Sequence, residues 1–545
     1  MKHHLFVPDF LKRAVKYYPH QTAVVDGDVR LTYRQFSERV NRLSHMLMEM
    51  GVKKGERVAY LAPNTLPMLE GMFGVTQIGA VTVPLNTRLI PSAYAYIINH
   101  SGSKVLMVDA ELVPLIEPIK QELIHVEHFV LLPSPDEKER KGWIHYEERL
   151  ARCSEAPPSV PEMDEMDLAT ILYTSGTTGL PKGAMHSHRS MYFNAINGCI
   201  HVRVTDGDVL LHTLPLFHVN GWGTPFVLTA TGGTHVLLRK IDPALIFDLV
   251  NRERITLACM VPTMINILLH HPKAKTTRIV HKMKVVVAGS APPPSYVRRV
   301  EDVLGWEFIQ GYGATETAPL VLITQLKSSI DDSADNVRRL KAKAGMCMMN
   351  MEVRVVDDSG CDVRSDGKQI GELIVKGNNV MEGYWREPKE TARAIKDGWY
   401  YTGDMVTIDE EGFIDIVDRK KDIIISGGEN ISSIEVEGVI ARHPAVLDAA
   451  VIAVPHEKWG EVPHAVCMLK DGEAATEKEL IAFCRKSLPA FKTPKSCSFV
   501  KSLPRTASGK VRKVDLRKPF WSGQKENGFF WKDENGIIEE SGKIR

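Results

Sequence analysis

Tyr173-Thr-Ser-Gly-Thr-Thr-Gly-Leu-Pro-Lys-Gly183 packs hydroxyls and glycines into one short stretch and then adds a single lysine. Thr174, Ser175, Thr177 and Thr178 offer hydroxyls that donate to oxyanions. Gly176 and Gly179 let backbone N–H groups approach a ligand closely. Lys182 is a point charge suited to phosphate. The stretch therefore reads as a polyphosphate cradle. Its rival is the P-loop pattern G-x-x-x-x-G-K-[ST]. Counted from Gly176 that register fails, because Pro181 stands at the second glycine and Gly183 at the magnesium-binding hydroxyl.

Working outward, Gln310-Gly-Tyr-Gly-Ala-Thr-Glu-Thr317 sets Tyr312 between Gly311 and Gly313. The glycines let the backbone fold close while the ring presents a face, and stacking a base on such a ring is worth about 1–3 kcal/mol. Thr315 adds a hydroxyl for phosphate and Glu316 a hard oxygen for magnesium. In Tyr401-Thr-Gly-Asp404, the carboxylate of Asp404 suits both hydroxyls of a ribose. Pro504-Arg-Thr-Ala-Ser-Gly-Lys510 ends in a lysine carried on a glycine turn. Asp418-Arg-Lys-Lys-Asp-Ile-Ile-Ile-Ser-Gly-Gly-Glu-Asn430 reads as a polar linker followed by Gly427 and Gly428.

Taken in order, these motifs resemble the AMP-forming adenylating enzymes: acyl-CoA synthetases, stand-alone adenylation domains and beetle luciferases. The resemblance covers roughly residues 10–515. It implies that Thr174 and Glu316 serve phosphate and magnesium, with Ser175, Gly176, Thr177, Thr178, Gly179 and Lys182 around the phosphates. Gly289, Ser290 and Ala291 of Val287-Ala-Gly-Ser-Ala-Pro292 close the adenine pocket, with Gly311, Tyr312, Gly313 and Thr315. Asp404 and Arg419 bind the ribose. Lys510 and His218 flank the reacting carboxylate. Lys421 is the hinge of a mobile small domain, and Gly427 and Gly428 line the path of the CoA arm. ATP, Mg2+ and CoA are the implied cofactors, and a carboxylic acid the substrate. A carrier-protein pantetheine as acceptor, or a non-catalytic sensor of nucleotide or acyl-adenylate, stays open at this point.

At 545 residues the chain exceeds one ordinary core, so several domains are expected. Hydrophobic residues make up 44% and charged residues 25%, the balance of a globular protein. A net charge of +1 supplies no field for nucleic acid or an anionic membrane. The eight cysteines form no C-x-x-C pair, which points to reduced thiols and a cytoplasmic location. No apolar run reaches the length of a transmembrane segment. A homodimer is left open.

Strand-like and helical patterns alternate through the first 290 residues: Arg57–Ala62, Leu66–Ile78, Ala80–Pro84, Lys104–Asp109, His235–Leu238, Pro243–Glu253 and Lys284–Gly289. That alternation predicts parallel sheets. From 351 onward the pattern becomes hairpin-like. The expected fold is α/β: a large N-terminal domain (1–420) with parallel-rich sheets and a β-rich part, then a small mobile α+β domain (421–520). A polar extension (521–545) follows, in which Phe529, Phe530 and Trp531 offer docking groups.

Leu214-Pro-Leu-Phe-His-Val-Asn-Gly-Trp222 sits where the resembled family reads its acid. Amino-acid adenylators usually place an aspartate directly after the phenylalanine, as partner to the substrate ammonium. His218 stands there, which disfavours an amino acid. Gly221 and Trp222 match the acyl site, Trp222 at the gate position of long-chain synthetases, so a fatty acid is the expected substrate. Phe226, Val227 and Leu228 would extend an apolar wall. Cys347 stands where the family often has proline, among Met346, Met348, Met349 and Met351, which suggests an adaptable wall.

Overall fold

The computed structural model describes residues 4–135, 140–174, 180–277, 279, 281–288, 292, 294–331, 333–427, 429–506, 510–521, 531–532 and 537–539, without the side chains of Asn220, Trp222 and residues 531–539. The chain divides into two compact units. The first comprises Met1–Ser290, Pro294–Val353 and Val375–Tyr401. The second comprises Ala291–Pro293, Arg354–Ile374 and Thr402–Arg545. Residues 354–374 and 402–420 thus pack with the C-terminal part, whereas the sequence suggested a division at 420. Two sheets of the first unit position the site.

The eight-stranded sheet runs Gly383–Tyr384, Lys182–Ser187, Leu168–Thr174, Val81–Pro84, Arg57–Leu61, Ser103–Asp109, His128–Leu132, Ile144–His145. Its strands from Leu168–Thr174 to Ile144–His145 pair parallel, and the two at the other edge are antiparallel. The nine-stranded sheet runs Met346–Cys347, Leu320–Ile323, Glu307–Gly313, Lys284–Val287, Leu257–Met260, Val209–His212, Thr234–Leu237, Thr22–Asp26, Val29–Thr32, and its central strands are parallel. The alternating pattern in the sequence is therefore realised as parallel-rich α/β structure.

The local reasons are ordinary ones. The helix Tyr33–Glu49 starts at a capping box, with Thr32 accepting from the Gln35 N–H while the Gln35 side chain returns to Thr32. Its Phe36, Val40, Leu43 and Leu47 form one buried stripe. The helix Leu66–Gln77 is buried along its whole length, which matches its near-continuous apolar sequence.

In the second unit, Val446–His456 and Gly460–Leu469 form an antiparallel pair, and Ser496–Val500 lies parallel to the latter. The helices Ser433–Ile440 and Glu477–Arg485 accompany them. Ile537–Glu539 adds a parallel strand beside Ser496–Val500 and pairs with Trp531–Lys532, so part of the C-terminal extension continues the sheet. Among the described residues, which include all eight cysteines, no disulfide forms. No helix among them is long and apolar enough to cross a membrane.

The nine-stranded sheet also buries a histidine pair. His212 Nε2 and His235 Nδ1 lie 3.0 Å apart, and His235 Nε2 lies 3.0 Å from the Thr229 hydroxyl. Burial pushes the His212 pKa down to about 3 and that of His235 well below its ordinary value, His212 adding a further push in the same direction. Both rings stay neutral when folded, while the unfolded chain takes up protons as pH falls below about 6.5. The stability they contribute is therefore present above that pH and lost below it, at up to about 1.4 kcal/mol per pH unit per ring. His235→Gln should lose less stability between pH 7.5 and 5.5 than the parent, by about 1 kcal/mol. Urea midpoints at the two pH values test this; equal losses would remove the pair from the acid response.

Candidate active site

Strands Leu168–Thr174 and Lys182–Ser187 form a hairpin with Thr174 opposite Lys182. The Thr174 hydroxyl lies 3.4 Å from the Lys182 carbonyl. Ser175, Gly176, Thr177, Thr178 and Gly179, the expected cradle between these strands, lie outside the described residues. Gly183 is required by packing, since a Cβ there would sit 2.6 Å from Ile171 and 3.1 Å from the Tyr173 ring.

Lys182 is the hub of the described side chains. Its ammonium pairs with Glu390, on the helix Pro388–Ala394, and lies 5.4 Å from the centre of the Tyr384 ring. The Tyr384 hydroxyl donates to Glu316 Oε1 at 2.8 Å. Tyr384 reaches both because Gly383–Tyr384 pairs with Met185 and Ala184 at the sheet edge. The hydrogen bond from Lys182 holds the Glu390 carboxyl below its ordinary pKa. Burial, with Glu316 adding to it, raises the Tyr384 phenol well above the ordinary range, so it stays a donor.

A second bridge lies beside the first. His186 Nε2 donates to the Thr315 carbonyl at 2.8 Å. Burial lowers the His186 pKa to about 4, which keeps the ring neutral, and a carbonyl partner requires the proton on Nε2. The Met381 N–H also donates to the Glu316 carbonyl at 2.8 Å. Thr315 and Glu316 belong to a short 3-10 turn after the strand Glu307–Gly313. Gly313 admits no side chain, because a Cβ would lie 1.8 Å from the Pro319 carbonyl oxygen. Tyr312 is half-buried on this strand, opposite Leu322.

The structure thus joins Thr174, Lys182, Thr315 and Glu316 into one neighbourhood. His218 lies on the turn before the helix Val219–Thr231, where its N–H donates to the Pro215 carbonyl. Gly221 is held against the Pro215 carbonyl, 2.2 Å from where a Cβ would be. The side chain of Trp222, and Gly289, Ser290 and Ala291, lie outside what is described.

A cavity of about 60 Å³, the volume open to the centre of a water-sized sphere, lies among Asn194, Gly198, Val202, Leu210, Gly223 and Val227. Leu228 also lines it, as expected of an apolar wall, but Phe226 turns away to pack edge-on against Phe73. The methionines of 346–351 are not lining residues; Met348 packs in the core beside Val202, Val204 and Leu210. The wall is therefore set by branched aliphatic residues.

In the second unit Asp404 and Arg419 face each other across an antiparallel pair, joined by a 2.6 Å ion pair. Lys421 is exposed, and its carbonyl accepts from Arg517 at 2.7 Å. Gly427 adopts φ +60° with its Cα under the Trp459 ring, where a Cβ would come within 2.7 Å. Gly428 is outside the described residues. Lys510 is exposed; its N–H donates to the Thr506 hydroxyl and its carbonyl accepts from the Thr506 N–H.

Sequence reading missed Tyr384, Glu390, His186 and Asn194. Gly383-Tyr384-Trp385 and Glu390 carried a detectable signal, a glycine beside aromatics and an acid at a helix start, but nothing that placed them next to Lys182.

Residues 11–385 match the AMP-binding enzyme family, and residues 435–510 match the AMP-binding enzyme C-terminal domain. The chain is 39% identical over 514 residues to 4-hydroxybutyrate–CoA ligase 2 of Metallosphaera sedula, covering 93% of each. It is 39% identical over 522 residues to long-chain-fatty-acid–CoA ligase of Thermus thermophilus, covering 94% of this chain and 95% of that one. The fold superposes on ATP-bound MatB from Rhodopseudomonas palustris with a TM-score of 0.83 at 31% identity, covering 94% and 99% of the two chains. With the two-part α/β architecture and the motifs in order, the chain belongs to the AMP-binding enzymes, as an acid–thiol ligase of the AMP-forming acyl-CoA synthetase type.

Proposed function

We propose that the protein joins a carboxylic acid to CoA in two steps. The carboxylate attacks the α-phosphate of MgATP, giving acyl-AMP and pyrophosphate. The CoA thiolate then attacks the acyl carbon, and AMP leaves with the electron pair of the broken bond. No protein nucleophile is needed, because the mixed anhydride already carries a good leaving group. The observation that carries this reading is the Lys182–Tyr384–Glu316 chain, which sets a cation, a phenol donor and a carboxylate around one hairpin.

In this reading Thr174, Thr315 and the 175–179 stretch hold phosphate with Lys182. Tyr312 stacks on adenine, Asp404 and Arg419 hold the ribose, and His218 and Lys510 approach the carboxylate. Lys421 serves as hinge, and Gly427 lines the path of the thiol arm. Among the described residues no group of three or more His, Cys, Asp or Glu could hold a metal ion. The single carboxylate of Glu316 fits magnesium brought by the nucleotide and held largely by its phosphates. Bound there, magnesium would neutralise the phosphate charge.

The cavity supports an acid with a small, mostly apolar tail. Its volume of about 60 Å³ is well below the roughly 150 Å³ of a cavity that holds a benzene ring, so it suits a short tail. The named acids of the relatives range from 4-hydroxybutyrate to long-chain fatty acids, and the cavity favours the short end of that range. The scattered cysteines, none in a disulfide, support a cytoplasmic setting.

The first test is pyrophosphate release with MgATP across acids from acetate to palmitate, aromatic acids and amino acids included, with and without CoA. Release should depend on acid, peak at about four to six carbons and consume CoA. Release without CoA turnover would favour a carrier-protein acceptor, and release with no acid would sink the ligase reading. Lys510→Ala should slow adenylate formation about 100- to 1000-fold while sparing thioester formation from supplied acyl-AMP. Equal loss in both half-reactions would remove the assigned role. Glu390→Gln should lower the KM for ATP about two- to fivefold, the scale of one partly exposed ion pair, since phosphate must displace Glu390 from Lys182. A KM that stays level or rises would show that Glu390 does not compete with the nucleotide.

A further inference from the structure

The cavity wall contains one polar group whose bonding is incomplete. Asn194 is 4% exposed and lines the cavity, with its amide nitrogen against Gly223, where a Cβ would meet it at 2.5 Å. Its side-chain amide makes no hydrogen bond with another described residue and is not among the fully enclosed polar atoms, so it keeps access to the cavity. The hydroxyl on the wall, that of Thr224, already donates to the Gly221 carbonyl at 2.9 Å. The remaining wall is aliphatic apart from the half-buried Cys259, whose thiol pKa is pushed up to about 12 by desolvation.

An amide covered by an apolar tail loses that access without gaining a partner, which is costly, whereas an oxygen on the ligand supplies the missing bond. Its place along the cavity is fixed by the helix His188–Val202. Asn194, Gly198 and Val202 follow at four-residue spacing, so they lie along one stripe about 12 Å long. The N-terminal end of this helix adjoins the Thr315 turn, because His186 donates to the Thr315 carbonyl. Asn194 therefore lies toward the phosphate end, and Val202, Val204 and Leu210 close the far end. Gly198 leaves room between them, since any Cβ there would strike Val227 at 2.5 Å.

We propose that Asn194 is a specificity residue that selects short acids bearing a hydroxyl or oxo oxygen within the first few carbons after the carboxylate. This rests on the ligase reading given above. The amide either donates to or accepts from that oxygen, while the branched aliphatic end of the cavity limits the tail. An acid lacking the oxygen leaves the amide unpaired and pays for it in binding.

The test uses the full-length protein with MgATP and CoA and matched acids: butanoate against 3-hydroxybutanoate and 4-hydroxybutanoate, and hexanoate against 3-hydroxyhexanoate. In the parent, kcat/KM for pyrophosphate release should favour an oxygenated member by about tenfold or more. Asn194→Leu should invert that ratio, raising turnover of the plain acid and lowering that of its oxygenated partner. Asn194→Ala, which cannot overpack the wall, should abolish the preference if the leucine variant fails to fold. A parent that favours plain acids in every pair, or variants that leave the ratio unchanged, would overturn the assignment while the ligase reading stands. Absence of pyrophosphate release with every acid would overturn both.

Discussion

The site depends on one short pairing. Lys182 belongs to the eight-stranded sheet, whereas Thr315 and Glu316 follow a strand of the nine-stranded sheet. Two side chains span the gap: Tyr384, bonded to Glu316 and lying against Lys182, and His186, bonded to the Thr315 carbonyl. Tyr384 is placed by only two residues of strand, Gly383–Tyr384, at the edge of the first sheet. The next residue is pinned twice, its N–H to the Gly183 carbonyl at 2.8 Å and its indole to the His100 carbonyl at 3.1 Å. Backbone pairing of this kind fixes position more tightly than side-chain packing alone, and the groups that two sheets bring to the Lys182 hairpin inherit that fix.

Charge follows from the same arrangement. A partly buried ammonium is unfavourable without an opposite charge, and a polyphosphate site must keep its lysine charged before nucleotide arrives. Glu390 supplies that charge, and Arg393 in turn pairs with Glu390. The carboxylate stabilises the lysine in place and, under the proposed function, competes with phosphate for it. On that reading, affinity for ATP is a difference between two ion pairs, not the sum of contacts in one.

The regular elements were legible because their patterns are local. Arg57–Leu61, Leu66–Gln77, Val81–Pro84 and Ser103–Asp109 follow the predicted spans within a residue or so, since apolar runs of strand and helix length survive unchanged into the folded core. Thr174, Lys182, Thr315 and Glu316 were singled out in the sequence because each sits inside its own motif, and the fold sets them in one neighbourhood. Glu390 and Tyr384 were not: Glu390 meets Lys182 across 208 residues, and Tyr384 meets Glu316 across 68. Such contacts are set by strand register and sheet edges, which no periodicity encodes. The grouping of 354–374 and 402–420 with the C-terminal part was hidden for the same reason, because it arises from non-periodic contacts such as the bond from Ser433 to the Asp418 carboxylate.

Selectivity in the cavity draws on two effects of different size. Each methylene buried against Val202, Val204 and Leu210 stabilises by about 0.8 kcal/mol, so length alone separates neighbouring acids weakly. An amide left without a partner penalises the wrong acid by about 1–3 kcal/mol, and a methyl group in place of the oxygen cannot remove that penalty. The helix His188–Val202 carries both on one stripe: an amide near the chemistry, a glycine that makes room one turn on, and a valine that ends the space. The polar position decides which substituent enters, and the aliphatic end decides how much follows it. Aliphatic walls recur wherever a core is buried, so the sequence concealed this site until the fold set Asn194 beside Gly223.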